Sequence, residues 1–145
     1  MAPLIALVAG WILTRLAGLL GVSALDGWQP ALCVALALMF TLTGVAHFTG
    51  RRAEMIAMVP PALPRADLLV TATGVLELAG AGGLLLPATR SWAAVALTVL
   101  LLAMFPANVH AARSGLTLGG KPVTPLVPRT FLQVVFLAAC VAAAV

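Results

Sequence analysis

The chain has 145 residues, of which 63% are hydrophobic and only 8% are charged, and its formal net charge is +4. This composition excludes a water-soluble globule, because too few polar side chains are available to cover a core. The eight basic residues are scattered over short connectors rather than gathered into a stripe, so the positive charge does not predict a nucleic-acid partner. The expected partner is the lipid bilayer.

Five long apolar runs follow one another along the chain, at about residues 3–22, 30–48, 66–86, 92–112 and 128–145. A helix needs roughly 20 apolar residues to cross the hydrocarbon core of a membrane. Continuous runs of this length lack the alternation of a membrane β-barrel. The sequence therefore predicts an all-α membrane protein, a single domain over residues 1–145 with five spans. The third span is rich in glycine and is expected at the centre of the bundle.

Basic residues mark two of the four connectors. Residues 49–65 and 113–129 hold six of them, and the third connector holds only Arg90. The positive-inside rule then places the N-terminus inside and the C-terminus outside. Residues 1–24 could alternatively be a cleaved signal peptide, but Arg15 interrupts the apolar run and no basic residue precedes it.

The connector after the second span contains an amphipathic segment at residues 50–64. Its apolar and charged residues are spaced as in a short helix lying in the inner membrane interface, and three prolines end it. Two roles remain open: a lid over the inner mouth of the bundle, or a connector that anchors apolar side chains in lipid. The residues of the pattern are Arg51, Arg52, Glu54, Met55, Ile56, Met58 and Val59.

Two ionisable residues fall deep inside apolar runs, where each needs a partner or a purpose. Counted from the inner ends of their helices, Arg15 and Glu77 both lie roughly 17 Å deep. An ion pair between them is one expectation, and such a pair could merely fix helix packing. The other is a carboxylate facing a ligand cavity, since Glu77 shares its helix face with the small residues Thr73 and Ala81.

Further polar residues converge within about 8 Å of the inner boundary, on three other spans. These are His47, Asn108 and Gln133. On the fifth span, Arg129, Gln133, Phe136 and Cys140 recur at helical spacing and form a stripe that could line a pocket. His110 lies almost opposite Asn108 around its helix, so only Asn108 is expected to face the interior. A hydrogen bond from His47 to a backbone carbonyl explains that residue equally well.

The two cysteines, Cys33 and Cys140, form no pair with metal or redox spacing. They fall on different spans, so a disulfide between them is not expected. As small apolar side chains in helices they need no further role. No metal site is predicted.

Four segments resemble the DoxX-like family of small bacterial integral membrane proteins: GVAHF at 44–48, MVPPALP at 58–64, TGVLELAGAGGLLLP at 73–87 and FPANVH at 105–110. The resemblance implies a four-helix membrane core, here with an extra N-terminal transmembrane helix, in the bacterial cytoplasmic membrane. It also implies that His47, Glu77 and Asn108 occupy recurrent polar positions of that family. Members of the family look like accessory proteins of redox or stress systems.

Three functions follow as hypotheses. The first is an accessory protein that binds a quinone, a lipid or another amphipathic small molecule through His47, Glu77, Asn108 and Gln133, and is not an enzyme on its own. The second is a membrane subunit of a quinone-linked oxidoreductase, in which Glu77 relays protons and a membrane redox partner supplies electrons. The third is a structural or assembly partner of another membrane protein, or a homo-oligomer, joined through the glycine-rich span.

Overall fold

The computed structural model describes residues 1–145 and contains six α-helices, five of which are long and apolar enough to cross a membrane. The chain is thus a multi-pass membrane protein by helix length and composition. A 3-10 turn at Ser23–Leu25 follows the first helix. The other elements are α1 (Ala2–Leu19), α2 (Trp28–Ala46), α3 (Arg52–Met58), α4 (Ala66–Leu85), α5 (Arg90–Arg113), β1 (Thr117–Leu118), β2 (Lys121–Pro122) and α6 (Leu126–Ala144).

The helix ends have local causes. The helix α1 stops earlier than the predicted residue 22, because Gly21 has φ of +110° and breaks the helical backbone. The helix α6 begins at Leu126, earlier than the predicted residue 128. Pro128 therefore lies in its first turn, where backbone N–H groups have no partner within the helix and the missing N–H of proline costs no hydrogen bond. Between β1 and β2, Gly119 and Gly120 both have positive φ, as a two-residue hairpin turn requires.

Four helices form a ring in which α2 lies beside α4, α4 beside α5, and α5 beside α6, while α6 closes more loosely on α2. The helix α1 lies outside this ring and packs mainly against α2. As a result α2 is the most buried span, and the prediction that the glycine-rich third span is the centre is wrong. The largest buried side chains come from three helices: Leu36, Met39, Phe40, Leu84 and Leu97.

The outer surface of the bundle is apolar. Large hydrophobic side chains are more than half exposed on every long helix, as lipid-facing residues would be. Examples, one from each helix in chain order, are Ile5, Leu38, Val75, Val99 and Val134.

The helix directions bring most of the charge to one end of the bundle. There α1, α4 and α6 begin and α2 and α5 end, with α3 and the β-hairpin in the connectors. We call this the basic end. Its cationic residues are Arg51, Arg52, Arg65, Arg113, Lys121 and Arg129.

Glycines bring α2 and α4 close together at the basic end. A methyl group added at Gly74 of α4 would lie 2.6 Å from Cβ of His47 on α2, and one added at Gly44 would lie 2.9 Å from the side chain of Leu78. Both distances are well inside ordinary van der Waals contact, so the absence of side chains here permits the approach. It is this contact that sets His47 against the face of α4 carrying Glu77.

Candidate functional site

A cavity of about 310 Å³ lies in the half of the bundle next to the basic end. Its walls come from α2, α4, α5 and α6, the first residues of α1 lie at its side, and α3 and the hairpin contribute Met55, Met58 and Leu118. Most of the lining is apolar, and the polar exceptions are few. They are Thr43, His47, Thr73, Glu77, Asn108, Thr124, Arg129 and Gln133.

The most deeply buried acid of the chain faces this cavity. Glu77 is only 3% exposed and His47 only 5% exposed. The hydroxyl of Thr43 donates a hydrogen bond to Oε2 of Glu77 at 2.5 Å, and Nε2 of His47 lies 3.7 Å from Oε1 of the same carboxyl. Two residues at the end of α2 thus lie against the two carboxyl oxygens of Glu77 on α4.

The hydrogen bonds of His47 fix where its protons lie. Its Nδ1 is 2.8 Å from the carbonyl oxygen of Val70, and because a carbonyl only accepts, Nδ1 carries a hydrogen. Nε2 of the imidazole and Oε1 of Glu77 then attract each other only when a second proton is present, either on Nε2 or on the carboxyl group. The separation of 3.7 Å is too long for a direct hydrogen bond. The imidazole and the carboxyl therefore lie side by side at the cavity without a direct hydrogen bond.

A second polar group lies between α5 and α6. Arg129 donates from Nη1 to Oδ1 of Asn108 at 2.5 Å and from Nε to the carbonyl of Thr124 at 3.3 Å. One turn deeper, Gln133 is 7% exposed and donates to the carbonyl of Leu101 at 2.8 Å. These bonds tie the two helices together where their side chains meet the cavity.

The helix α3 and the β-hairpin, which both contribute residues to the cavity lining, are joined to each other. The carboxylate of Glu54 on α3 accepts a hydrogen bond from the backbone N–H of Gly119 at 2.5 Å, and the N–H of Gly120 lies 3.5 Å from its other oxygen. Arg52 fastens the start of α3 to α4 through Thr71 at 2.9 Å and the carbonyl of Asp67 at 3.1 Å. We call the Glu54 contact the latch.

The four residues predicted to bind a ligand line one cavity: His47, Glu77, Asn108 and Gln133. His110 is absent from the lining, as its position opposite Asn108 implied. Of the stripe on the last span, Arg129, Gln133 and Phe136 reach the cavity, while Cys140 is buried beyond it. Cys33 and Cys140 are both free thiols.

The predicted ion pair between Arg15 and Glu77 is not formed. Arg15 donates to the backbone carbonyl of Asp26, and the only charged partner within 4.0 Å of Glu77 is His47. The depth estimate omitted two facts. The helix α1 packs on α2, and Arg15 lies only four residues from its end, where the turn at Ser23–Leu25 offers carbonyl oxygens.

Thr43 is a contact of Glu77 that the sequence analysis missed. The available signal was its position four residues before His47, which places both side chains on one face of α2. The bond between Arg129 and Asn108 was also missed, although both residues had been placed near the inner boundary. Depth was predicted, but the partner of each side chain was not.

Comparison with known proteins gives a family without an assigned activity. No curated protein and no solved structure matches the chain. Residues 36–144 match the model of a protein family, a range that contains all four candidate residues and leaves α1 outside. The chain therefore belongs to the family described as Domain of unknown function (DUF8561).

Proposed function

We propose that this protein is an accessory protein of a bacterial cytoplasmic membrane that binds an amphipathic small molecule, such as a quinone or a lipid, in the cavity at the basic end. The observation that carries the proposal is the convergence of His47, Glu77, Asn108 and Gln133 on one apolar cavity of about 310 Å³. Small-molecule sites are typically apolar pockets of this kind with a few placed polar groups.

The lining changes in character along the bundle, which favours an amphiphile. Near the basic end it presents His47, Asn108 and Arg129, while its deeper wall consists of side chains such as Phe40 and Phe136. A polar head would meet the first group and an apolar ring or chain the second. A volume near the lower end of the roughly 300–1,000 Å³ range holds a head and part of a chain. A longer chain would leave through the loosely packed side between α2 and α6.

The predicted membrane orientation and the family resemblance both support an accessory protein of the bacterial cytoplasmic membrane. With six cationic residues at the basic end, the positive-inside rule directs this end and the cavity to the cytoplasm. The segments similar to the DoxX-like family include His47, Glu77 and Asn108, and accessory roles in redox systems are typical of that family. The helix α1 is then an addition to a four-helix core.

Mass spectrometry of molecules that co-purify with the protein tests the proposal. Protein extracted in a mild uncharged detergent is denatured, and the released quinones and lipids are quantified per mole of protein. We expect a stoichiometric amphiphile from the wild type and a marked loss from Glu77→Gln, because the hydrogen bond from Thr43 and the pairing with His47 both change. Asp67→Asn is the matched control, because this substitution removes an exposed carboxylate from the same helix outside the cavity. An empty wild-type bundle contradicts the proposal.

One observation favours a second function, a proton relay in a quinone-linked oxidoreductase. The imidazole of His47 and the carboxyl of Glu77, two groups that can each take up and release a proton, lie side by side in the cavity wall. Reduction of a quinone takes up protons, so such a pair could supply one while a partner protein supplies electrons. Quinone turnover by the purified chain with a chemical reductant, lost in Glu77→Gln but retained in Asp67→Asn, would favour this function.

The assembly hypothesis has weaker support. It relied on the glycines of α4 as a contact surface, but the space beside Gly74, Gly80 and Gly83 is occupied by side chains of α2 and α5. Only Gly82 has open space beside it. A single glycine does not make the repeated small-residue face on which membrane helices associate.

A further inference from the structure

We infer that the ligand of this cavity carries an oxyanion head, either a carboxylate or a phosphate, held by the guanidinium of Arg129. The inference rests on the proposed function, because it names the chemical class of the amphiphile bound at the same site.

The first argument is the charge balance of the cavity lining. Its ionisable side chains are those of His47, Glu77 and Arg129. The carboxyl of Glu77 has His47 as its own basic partner, with Oε1 3.7 Å from Nε2 of the imidazole. Arg129 stays protonated in proteins. The lining therefore contains one guanidinium that has no carboxylate partner of its own.

The second argument is the pairing of Arg129. No carboxylate lies within 4.0 Å of it, since His47 and Glu77 form the only pair of opposite charges at that distance. Its two hydrogen bonds go to neutral acceptors, the side chain of Asn108 and the carbonyl of Thr124. A guanidinium has five N–H groups, and both hydrogens on Nη2 are without a protein acceptor. These N–H groups are available to donate charge-assisted hydrogen bonds to an oxyanion.

The third argument separates Arg129 from the other cations of the basic end. Arg51, Arg65, Arg113 and Lys121 are exposed, as residues that serve only membrane orientation would be. Arg129 is half-buried and lines the cavity instead. Its bond to Asn108 holds the guanidinium against the neighbouring helix, so the free N–H groups stay at the cavity rather than extending to the membrane surface. This is the position expected of a head-group contact.

Binding of three amphiphiles with the same chain length tests the inference. Delipidated protein in an uncharged detergent is titrated with dodecanoate, dodecyl phosphate and the uncharged methyl dodecanoate, and bound adducts are counted by native mass spectrometry. We expect at least one anionic amphiphile to bind about tenfold more tightly than the ester, because charge-assisted hydrogen bonds are the stronger ones. Whichever anion binds better identifies the head group.

Variants show whether Arg129 causes the preference. In Arg129→Gln the ratio of anion affinity to ester affinity falls to about one. In Arg113→Gln, an exposed arginine at the same end, the preference remains. A preference that survives Arg129→Gln, or is lost equally in Arg113→Gln, overturns the inference.

The wild-type titration alone decides the case even if Arg129→Gln does not fold. Equal binding of the two anions and the ester overturns the oxyanion head but leaves amphiphile binding intact. Absence of saturable binding by any of the three overturns both proposals.

Discussion

The substitution Gly74→Ala tests whether the contact between α2 and α4 sets the site geometry. The added methyl carbon would lie 2.6 Å from Cβ of His47 and 2.9 Å from the ring of Phe48. Ordinary carbon contacts are about 3.5–4.0 Å, so roughly 1 Å of separation is missing. Cβ of His47 is fixed to the backbone of α2, so the strain cannot be relieved by rotating a flexible side chain.

Overpacking of this kind costs about 1–3 kcal/mol, and replacing a helical glycine returns roughly 0.5–1 kcal/mol. We therefore expect Gly74→Ala to lower the free energy of unfolding by about 0–2.5 kcal/mol, measured by thermal or denaturant unfolding in detergent. Because His47 must move, its hydrogen bond to Val70 should lengthen, and amphiphile binding should fall as well.

The same helix offers a matched control. A methyl group added at Gly82 has no heavy atom within 4 Å, so Gly82→Ala adds the same atom without a clash. We expect it to be neutral or slightly stabilising. If Gly74→Ala is as stable as Gly82→Ala and binds amphiphile equally well, the close approach of α2 and α4 does not determine the site.

Two further predictions concern the mouth of the cavity and the membrane orientation. Glu54→Gln removes the negative charge of the latch, so the backbone amides of Gly119 and Gly120 should exchange their hydrogens faster, while the amides of α4 should exchange as in the wild type. Unchanged exchange in the hairpin would show that the latch is not formed in solution. A thiol reagent that cannot cross the membrane should label Ala88→Cys, between α4 and α5, in intact bacteria. The same reagent should label Ser114→Cys, at the basic end, only after the cells are lysed. The reverse pattern would invert the proposed orientation.

The number and approximate bounds of the spans could be predicted from sequence because the thickness of a membrane imposes a length on every crossing helix. The shared position of His47, Asn108 and Gln133 was predictable for the same reason: helices that begin or end at one boundary can be counted inward residue by residue. Because polar side chains are costly to expose to lipid, polar residues at equal depth on neighbouring helices are expected to face a common interior.

Counting depth does not give lateral position, and this is where prediction failed. Arg15 and Glu77 were expected to pair on depth alone, but α1 packs on α2 and its arginine finds the carbonyl of Asp26. The latch between Glu54 and Gly119 was missed because it joins residues far apart in the chain. Only the folded positions of α3 and the hairpin bring them together, although the glycine pair itself is a recognisable turn signal.

The geometry of His47 and Glu77 bears on whether they serve packing or a ligand. A buried ion pair stabilises a fold only when its geometry repays the loss of hydration, and often it does not. Here the imidazole and the carboxyl are 3.7 Å apart, without a direct hydrogen bond, and border an apolar cavity rather than a filled interior. Under the proposed function this gap has a use, because the head of a bound amphiphile would lie against the imidazole and the carboxyl and supply the hydrogen-bond partner that neither finds in the other.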